Sequence, residues 1–394
     1  MSAPVASFKA ADIVKKLNPN PPPLPSLVGV PFGTIPSANM FVVDYKDGAW
    51  GTPEIIPFQN FSLSPLTNAL HYSLTCFEGM KAYADIEDVD KVAKGETLSE
   101  HRVRLFRPDK NIARLRNSMA RLCFPDFDGE EFLKCLEEYV KVESAYVPKQ
   151  YGYSLYLRPT ALAMDETLNV TPAKWVRLFI VATPVGPLYA PPAGSDPKVF
   201  QVFPVSLLVE EKAKRAWPGG TGGCKLGANY AGPILVQEEA HKKGYNQVLW
   251  LGANQEVQEV GAMNFICVWK TKEGEVELAT APLDGSVLPG VTRDSILQLV
   301  RGWGEVKVTE KVYYVSDMIE AIEEGRMIEC FGCGTAAIVT PVKLLAYKDK
   351  EYAVPAPADE STSIARRCLK TILDIQTGTT AHEWSKLLVS SPSA

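Results

Sequence analysis

Histidine is scarce in this chain. Only His71, His101, His241 and His382 occur in 394 residues, far apart in sequence. That argues against a histidine metal cage and against a Ser/His/Asp hydrolase. The eight cysteines are scattered, too thinly for a disulfide framework, and fit a reducing compartment. Cys330-Phe-Gly-Cys333 is a lone C-x-x-C pair with no second pair and no histidine nearby, so no metal is expected there. No apolar run approaches the roughly 20 residues of a membrane-spanning helix. The net charge is −5 and no basic cluster is present, which speaks against nucleic acid and anionic membrane partners. No arginine precedes Arg102. An arginine-rich import signal is therefore not expected and the cytoplasm is the favoured location. Phe8, Ile13, Val14 and Leu17 could still line a short helix, which keeps the mitochondrion as the alternative.

What is present is ordinary for a globular protein, with 46% apolar and 22% charged residues. The length suggests two or three domains. Residues 18–37 hold Pro19, Pro21, Pro22, Pro23, Pro25, Pro31 and Pro36, so residues 1–31 read as an extended arm. A smaller α/β domain is expected over 32–184. Proline and glycine crowd the stretch after Pro184, placing a linker at 185–198 and a larger domain at 199–394. Asp90–Glu100 reads as a charged hairpin. Ile112, Leu115, Met119 and Leu122 recur at helical spacing after Pro108. The second half alternates strands, such as 246–251 and 263–270, with helices, such as 292–303. The class is α/β (α+β) in two domains, with no internal repeat.

The chemistry centres on the stretch 217–230. Gly219, Gly220, Gly222 and Gly223 precede Lys225, and Gly227 and Tyr230 follow. Glycine lets another group approach the main chain closely. A lysine held out of water there has a lowered pKa and can form a Schiff base with an aldehyde. Glu259 stands just before an apolar strand, where a buried carboxylate could keep a pyridine nitrogen protonated. Pro289-Gly290-Val291-Thr292 feeds a helix start whose unpaired N–H groups suit an anion. Gly332–Ala337 is a second turn of small residues, with the hydroxyl of Thr335. An amine, an acid and two anion-friendly turns match the needs of pyridoxal 5′-phosphate.

These residues also carry a resemblance. Gly223-Cys224-Lys225-Leu226-Gly227-Ala228-Asn229-Tyr230 resembles the cofactor-lysine segment of the branched-chain amino acid aminotransferases, fold-type IV pyridoxal-phosphate enzymes. Phe77-Glu78-Gly79-Met80-Lys81-Ala82-Tyr83, Tyr156-Leu157-Arg158-Pro159, Glu259-Val260-Gly261-Ala262-Met263-Asn264, Leu288-Pro289-Gly290-Val291 and Gly334-Thr335-Ala336 resemble the eukaryotic branch in the family's order. The resemblance runs from about Phe32 to Trp384.

The resemblance implies a two-domain fold with a smaller N-terminal α/β domain and a larger C-terminal pseudo-barrel domain. It implies that Lys225 is catalytic and bonds the cofactor. Glu259 would pair with the pyridine nitrogen and Tyr230 with the phenolic oxygen. Arg114, Val291, Thr292 and Thr335 would hold the phosphate. Phe32, Phe77, Tyr156, Tyr189 and Tyr230 would line the substrate pocket, with Tyr72 and Val170 supplied across a homodimer interface. Arg158 and the Thr335-Ala336 backbone would meet substrate carboxylates. The implied reaction is transamination of L-leucine, L-isoleucine and L-valine with 2-oxoglutarate, giving branched 2-oxo acids and glutamate. Alternatives are a D-amino acid transaminase, an aminodeoxychorismate lyase, a catalytically silent cofactor-binding relative, or a C-x-x-C redox protein. Two departures stand out. Ala262 replaces a threonine common in the eukaryotic branch. Ala337 and Thr340 occupy the positions of a redox C-x-x-C found in some mammalian members.

Overall fold

The computed structural model describes residues 7–186, 202–357, 359 and 361–391. Its contacts divide the chain into two compact units. The first comprises Met1–Phe200, Lys225–Ala228 and Leu373–Ala394, and the second Gln201–Cys224 and Asn229–Ile372. The sequence reading gave 225–228 and the C-terminal tail to the second half. They cluster with the first because both pair with its strands. Ser385–Ser390 runs antiparallel to His101–Phe106. Leu226 forms an antiparallel bridge with Cys76.

The first unit is built on a ten-stranded sheet. Its path runs Val14–Lys15, Glu54–Pro57, Asn39–Lys46, Val176–Val185, Ser154–Ala163, Met80–Ala84, His101–Phe106 and Ser385–Ser390, with Ala49–Trp50 and Thr75–Phe77 paired at its sides. Val176–Val185 alternates buried and half-buried residues over most of its length, the pattern of a strand covered more on one face. The helices Pro108–Arg121 and Gly129–Val142 belong to this unit. Proline at the first position of the former costs no hydrogen bond, and Asp128 caps the latter by accepting from Glu130 and Glu131 N–H. An aromatic cluster of Phe8, Phe41, Trp50, Phe127 and Phe132 fills part of the core.

Two expectations need correcting here. The first part of the expected arm is packed: Phe8 is buried and Val14–Lys15 is a parallel edge strand. Residues 17–38 carry no helix or strand, as their prolines require. The expected hairpin over Asp90–Glu100 is instead the end of a helix, Ile86–Ala93, followed by a loop. Asp85 caps that helix by accepting from Glu87 N–H, and Ile86, Val89, Val92 and Ala93 fall at helical spacing. The charges between them masked that period.

The second unit holds a nine-stranded sheet, six strands of which close on themselves. The ring runs Val257–Val260, Gln247–Leu251, Val205–Glu210, Ile338–Tyr347, Met327–Gly334 and Met263–Lys270, and then back to Val257–Val260. The last pairing is antiparallel, Glu259 opposite Asn264 and Val260 opposite Met263. This is the expected pseudo-barrel. Val276–Thr280, Lys307–Glu310 and Lys350–Ala353 extend it. The helix Val291–Trp303 lies within a residue of its predicted bounds.

Cys330 and Cys333 are both buried on Met327–Gly334. Three residues apart on a strand, their side chains point to opposite faces. Cys330 stands instead across from Cys267, so the C-x-x-C spacing does not make a dithiol pair. No group of three metal-ligating side chains occurs among the described residues. None of their helices is long and apolar enough to cross a membrane.

Candidate active site

Within the first unit the lysine segment is laid against the strand Thr75–Phe77. Phe77 N–H donates to the Lys225 carbonyl at 3.0 Å, and Gly227 N–H donates to the Thr75 carbonyl at 2.9 Å. Any side chain at 227 would meet Thr75 Cγ2 at 2.9 Å, so this close pairing requires glycine. Lys225 N–H donates to Ser118 Oγ at 2.9 Å. The lysine backbone is thus fixed on both sides, and its amine lies 4.9 Å from the centre of the Phe77 ring.

The surroundings set the charge of that amine. Burial lowers its pKa from 10.5 to about 8, helped by the Arg114 guanidinium and, more weakly, Arg158, and opposed by Glu78 and Tyr156. Arg114 forms a two-pronged pair with Glu78, Nε to Oε1 at 2.7 Å and Nη2 to Oε2 at 2.9 Å, with Glu78 fully buried. Glu78 Oε2 also accepts from Asn111 Nδ2 at 2.9 Å. Arg158 stacks over Phe77 at 4.6 Å and donates to Tyr156 Oη at 3.1 Å. Phe32 meets the Tyr156 ring edge-on at 5.0 Å. Gly79 keeps Tyr156 in place, since a Cβ there would run into the phenol oxygen. Lys225, Phe77, Arg158, Tyr156 and Phe32 are therefore connected through one set of contacts, and Arg114 acts on Lys225 through its charge.

Tyr72, the last residue of the short helix Asn68–Tyr72, and Val170, in the segment after Ser154–Ala163, are exposed, and Tyr72 Oη bonds the Leu168 carbonyl. Tyr189 lies outside the described residues.

In the second unit Glu259 and Tyr230 line a cavity of about 290 Å³, together with Arg215, Cys224, Ala262 and Leu288. Glu259 is buried in a strand paired on both sides. Its Oε1 accepts from Leu288 N–H at 2.8 Å and Asn264 Nδ2 at 3.3 Å, and its Oε2 stands 3.3 Å from Arg215 Nε. Arg215 is itself tied to the Ser286 carbonyl at 2.6 Å. Ser286 also closes in on Gly222, where a Cβ would strike its carbonyl. Gly223 N–H donates to the Gly285 carbonyl at 2.7 Å. Gly222 and Gly223 thus seat the loop against residues 285–286. Asn229 clips the same loop by donating to the Thr221 and Cys224 carbonyls, both at 2.9 Å.

Val291 and Thr292 begin the helix Val291–Trp303, both buried, after Gly290 in extended conformation. Thr335 and Ala336 follow the strand Met327–Gly334 in a half-buried turn. Four polar residues had no part in the sequence reading: Glu78, Ser118, Arg215 and, as a ligand of Glu259, Asn264. Glu78 sat inside a motif already noted, Phe77-Glu78-Gly79, where an acid between apolar and glycine residues was the available signal.

The sequence profile of the amino-transferase class IV family matches residues 91–345. The chain belongs to that family. It is 43% identical to the branched-chain-amino-acid aminotransferase of Dictyostelium discoideum over 91% of this chain and 89% of the relative. The mitochondrial enzyme of that name from Rattus norvegicus is 42% identical, covering 96% and 92%, and the cytosolic one from Ovis aries 39%, covering 97% and 94%. Its place is therefore among the branched-chain-amino-acid aminotransferases. The fold matches the solved branched-chain aminotransferase of Thermoproteus uzoniensis with a TM-score of 0.66 at 22% identity, covering 89% of this chain and 99% of that one. Another solved branched-chain amino acid aminotransferase, crystallised with pyridoxamine 5′-phosphate, matches with a TM-score of 0.63 at 23% identity, covering 87% and 97%.

Proposed function

We propose that the protein transaminates L-leucine, L-isoleucine and L-valine with 2-oxoglutarate, using pyridoxal 5′-phosphate. The observation that carries this reading is the Lys225 amine, drawn down to about 8 by burial and the Arg114 guanidinium. The residues present fit the cofactor. Arg158 Nε is buried without a hydrogen-bond partner, as suits a site for an anion. Glu259 is a buried carboxylate bordering a cavity with Tyr230 and Leu288. Gly290, just before the helix start at Val291, packs closely against Asn264, whose Oδ1 a Cβ there would strike.

When bound, the cofactor supplies an aldehyde and an electron-withdrawing ring. Lys225 would be the residue that holds that aldehyde. Its amine, with a pKa near working pH, would be the group that moves the proton at the substrate Cα. Glu259 keeps the pyridine nitrogen protonated, and Tyr230 donates to the phenolic oxygen. Arg114, the N–H groups of Val291 and Thr292, and Thr335 hold the phosphate. Phe32, Phe77 and Tyr156 give the branched side chain an apolar wall. Arg158 and the Thr335-Ala336 backbone receive carboxylates, which lets one pocket accept both leucine and glutamate.

Adding L-leucine to the purified yellow protein should shift its visible band. D-alanine and aminodeoxychorismate, tested in parallel, should leave it unchanged. A response to either of those and none to L-leucine would replace this reading.

A homodimer completes the proposal. Leu66, Leu70, Tyr72, Leu168 and Val170 are exposed apolar residues grouped where Thr67 bridges Glu166, a patch suited to a second copy. Sedimentation should give a dimer that Leu70→Asp with Val170→Asp dissociates, and a monomeric wild type would refute it. We place the enzyme in the cytosol, and cell fractionation that recovers it with mitochondria would overturn that.

A further inference from the structure

The helix Pro108–Arg121 has a second buried face beside its apolar stripe. Asn111, Arg114 and Ser118, at i, i+3 and i+7, are all buried. Buried polar side chains in a helix interior carry a desolvation cost unless hydrogen bonds offset it. Asn111 bonds Glu78 and the Gly79 carbonyl. Arg114 pairs with Glu78. Ser118, with no exposed surface, accepts the N–H of Lys225 at 2.9 Å.

One helix face therefore acts on the lysine in two ways. Arg114 lowers the amine's proton affinity through charge, and Ser118 holds the main chain from which the amine projects. The other peptide bonds around the lysine are held separately: Phe77 N–H takes the Lys225 carbonyl, and Asn229 takes that of Cys224. The hydroxyl of Ser118 ties the Lys225 N–H to the element that carries Arg114. Without it the lysine Cα can drift relative to the guanidinium, and both the reach and the proton affinity of the amine change together.

We infer that Ser118 is a positioning residue for Lys225, setting the distance of its amine from Arg114 and from the reacting carbon. The inference rests on the proposed role of Lys225. Holoenzyme of wild type, Ser118→Ala, Ser118→Thr and Ser118→Cys would be compared by three measurements. Borohydride reduction followed by peptide mapping identifies the lysine bonded to the cofactor. Absorbance titration gives the pH midpoint of the bound chromophore. Steady-state kinetics separates kcat from KM.

Ser118→Ala should lower kcat about threefold to tenfold, the worth of one buried hydrogen bond, with KM for leucine within about twofold. Its chromophore midpoint should move, and Ser118→Thr, which keeps the hydroxyl, should restore both readouts. Ser118→Cys accepts weakly and should follow the alanine variant, and it serves if that variant does not fold. A wild-type midpoint and kcat in Ser118→Ala or Ser118→Cys would overturn the inference. So would a threonine variant as impaired as the alanine one. A tag on Lys81, a second buried lysine of the same unit with a pKa lowered to about 7, would instead overturn the role of Lys225 and the inference with it.

Discussion

Each unit holds a buried arginine–glutamate pair, and the two are built differently. Glu78 meets Arg114 through two parallel bonds and takes further bonds from Asn111 and its neighbour's N–H. Glu259 meets Arg215 by a single 3.3 Å approach, and its stronger bond is to the Leu288 N–H. Arg215 Nε makes no hydrogen bond, so this second pair is held by charge more than by geometry. Two-pronged pairing with added ligands gives a rigid fixture. A carboxylate fixed through one oxygen by the Leu288 N–H and Asn264, and facing Arg215 with the other, can answer a cation arriving from the cavity beside it. The first pair sets an environment and the second is suited to act.

Lys225→Ala, which leaves both pairs intact, should cost the most, lowering kcat by about 10^4-fold with the fold unchanged by circular dichroism. If turnover survives, neither pair serves a lysine-based reaction.

Substituting the two glutamates then separates their roles. Glu78→Gln leaves Arg114 buried without its counter-charge and should destabilise the protein by about 3–5 kcal/mol in urea. Glu259→Gln leaves Arg215 its bond to the Ser286 carbonyl and should cost less stability than Glu78→Gln, but lower kcat by about 10^2-fold, because an amide cannot hold a pyridinium by charge. The reverse pattern would break the comparison.

Proton affinity gives a finer test. Lys225 has a folded pKa of about 8 against an ordinary 10.5. Between these values the unfolded chain binds a proton that the folded chain does not, so this residue makes stability rise with pH across that window. In the cofactor-free protein, wild type should gain on Lys225→Met from pH 8 upward, as read by urea midpoints. The kcat profile should rise toward a plateau above about 8, and Arg158→Gln, which removes a cation, should move its midpoint upward.

The smallest effect is expected far from either pair. Cys330→Ser should keep turnover within about twofold, since Cys330 is buried on the face opposite Cys333 and its thiol pKa is raised by burial.

Helices with an uninterrupted apolar period, such as Val291–Trp303, were legible in the sequence nearly to the residue, and so was the strand Met263–Lys270. Their side chains carry the whole signal locally. The helix Ile86–Ala93 was not, because Glu87, Asp88, Asp90 and Lys91 interrupt its apolar positions. Glu259 and Lys225 could be singled out as candidates, but the settings of both depend on residues distant in sequence. Lys225 owes its backbone bonds to Ser118 and Phe77, and its lowered pKa to burial and Arg114. The spacing of Asn111, Arg114 and Ser118 is equally that of a solvated helix face, and only their burial tells the two apart. Arg215 carried no pattern at all, and its place beside Glu259 comes from the closure of a ring of strands.

That closure has a kinetic consequence. Glu259 and Val260 are paired on both sides, so this end of the short strand Val257–Val260 has no edge from which to fray. Its amide protons can exchange with water only when the ring itself parts. Hydrogen exchange at Glu259 and Val260 should therefore be among the slowest in the second unit, far slower than at the open strand Lys350–Ala353. The carboxylate proposed to meet the cofactor sits where the local structure opens least often.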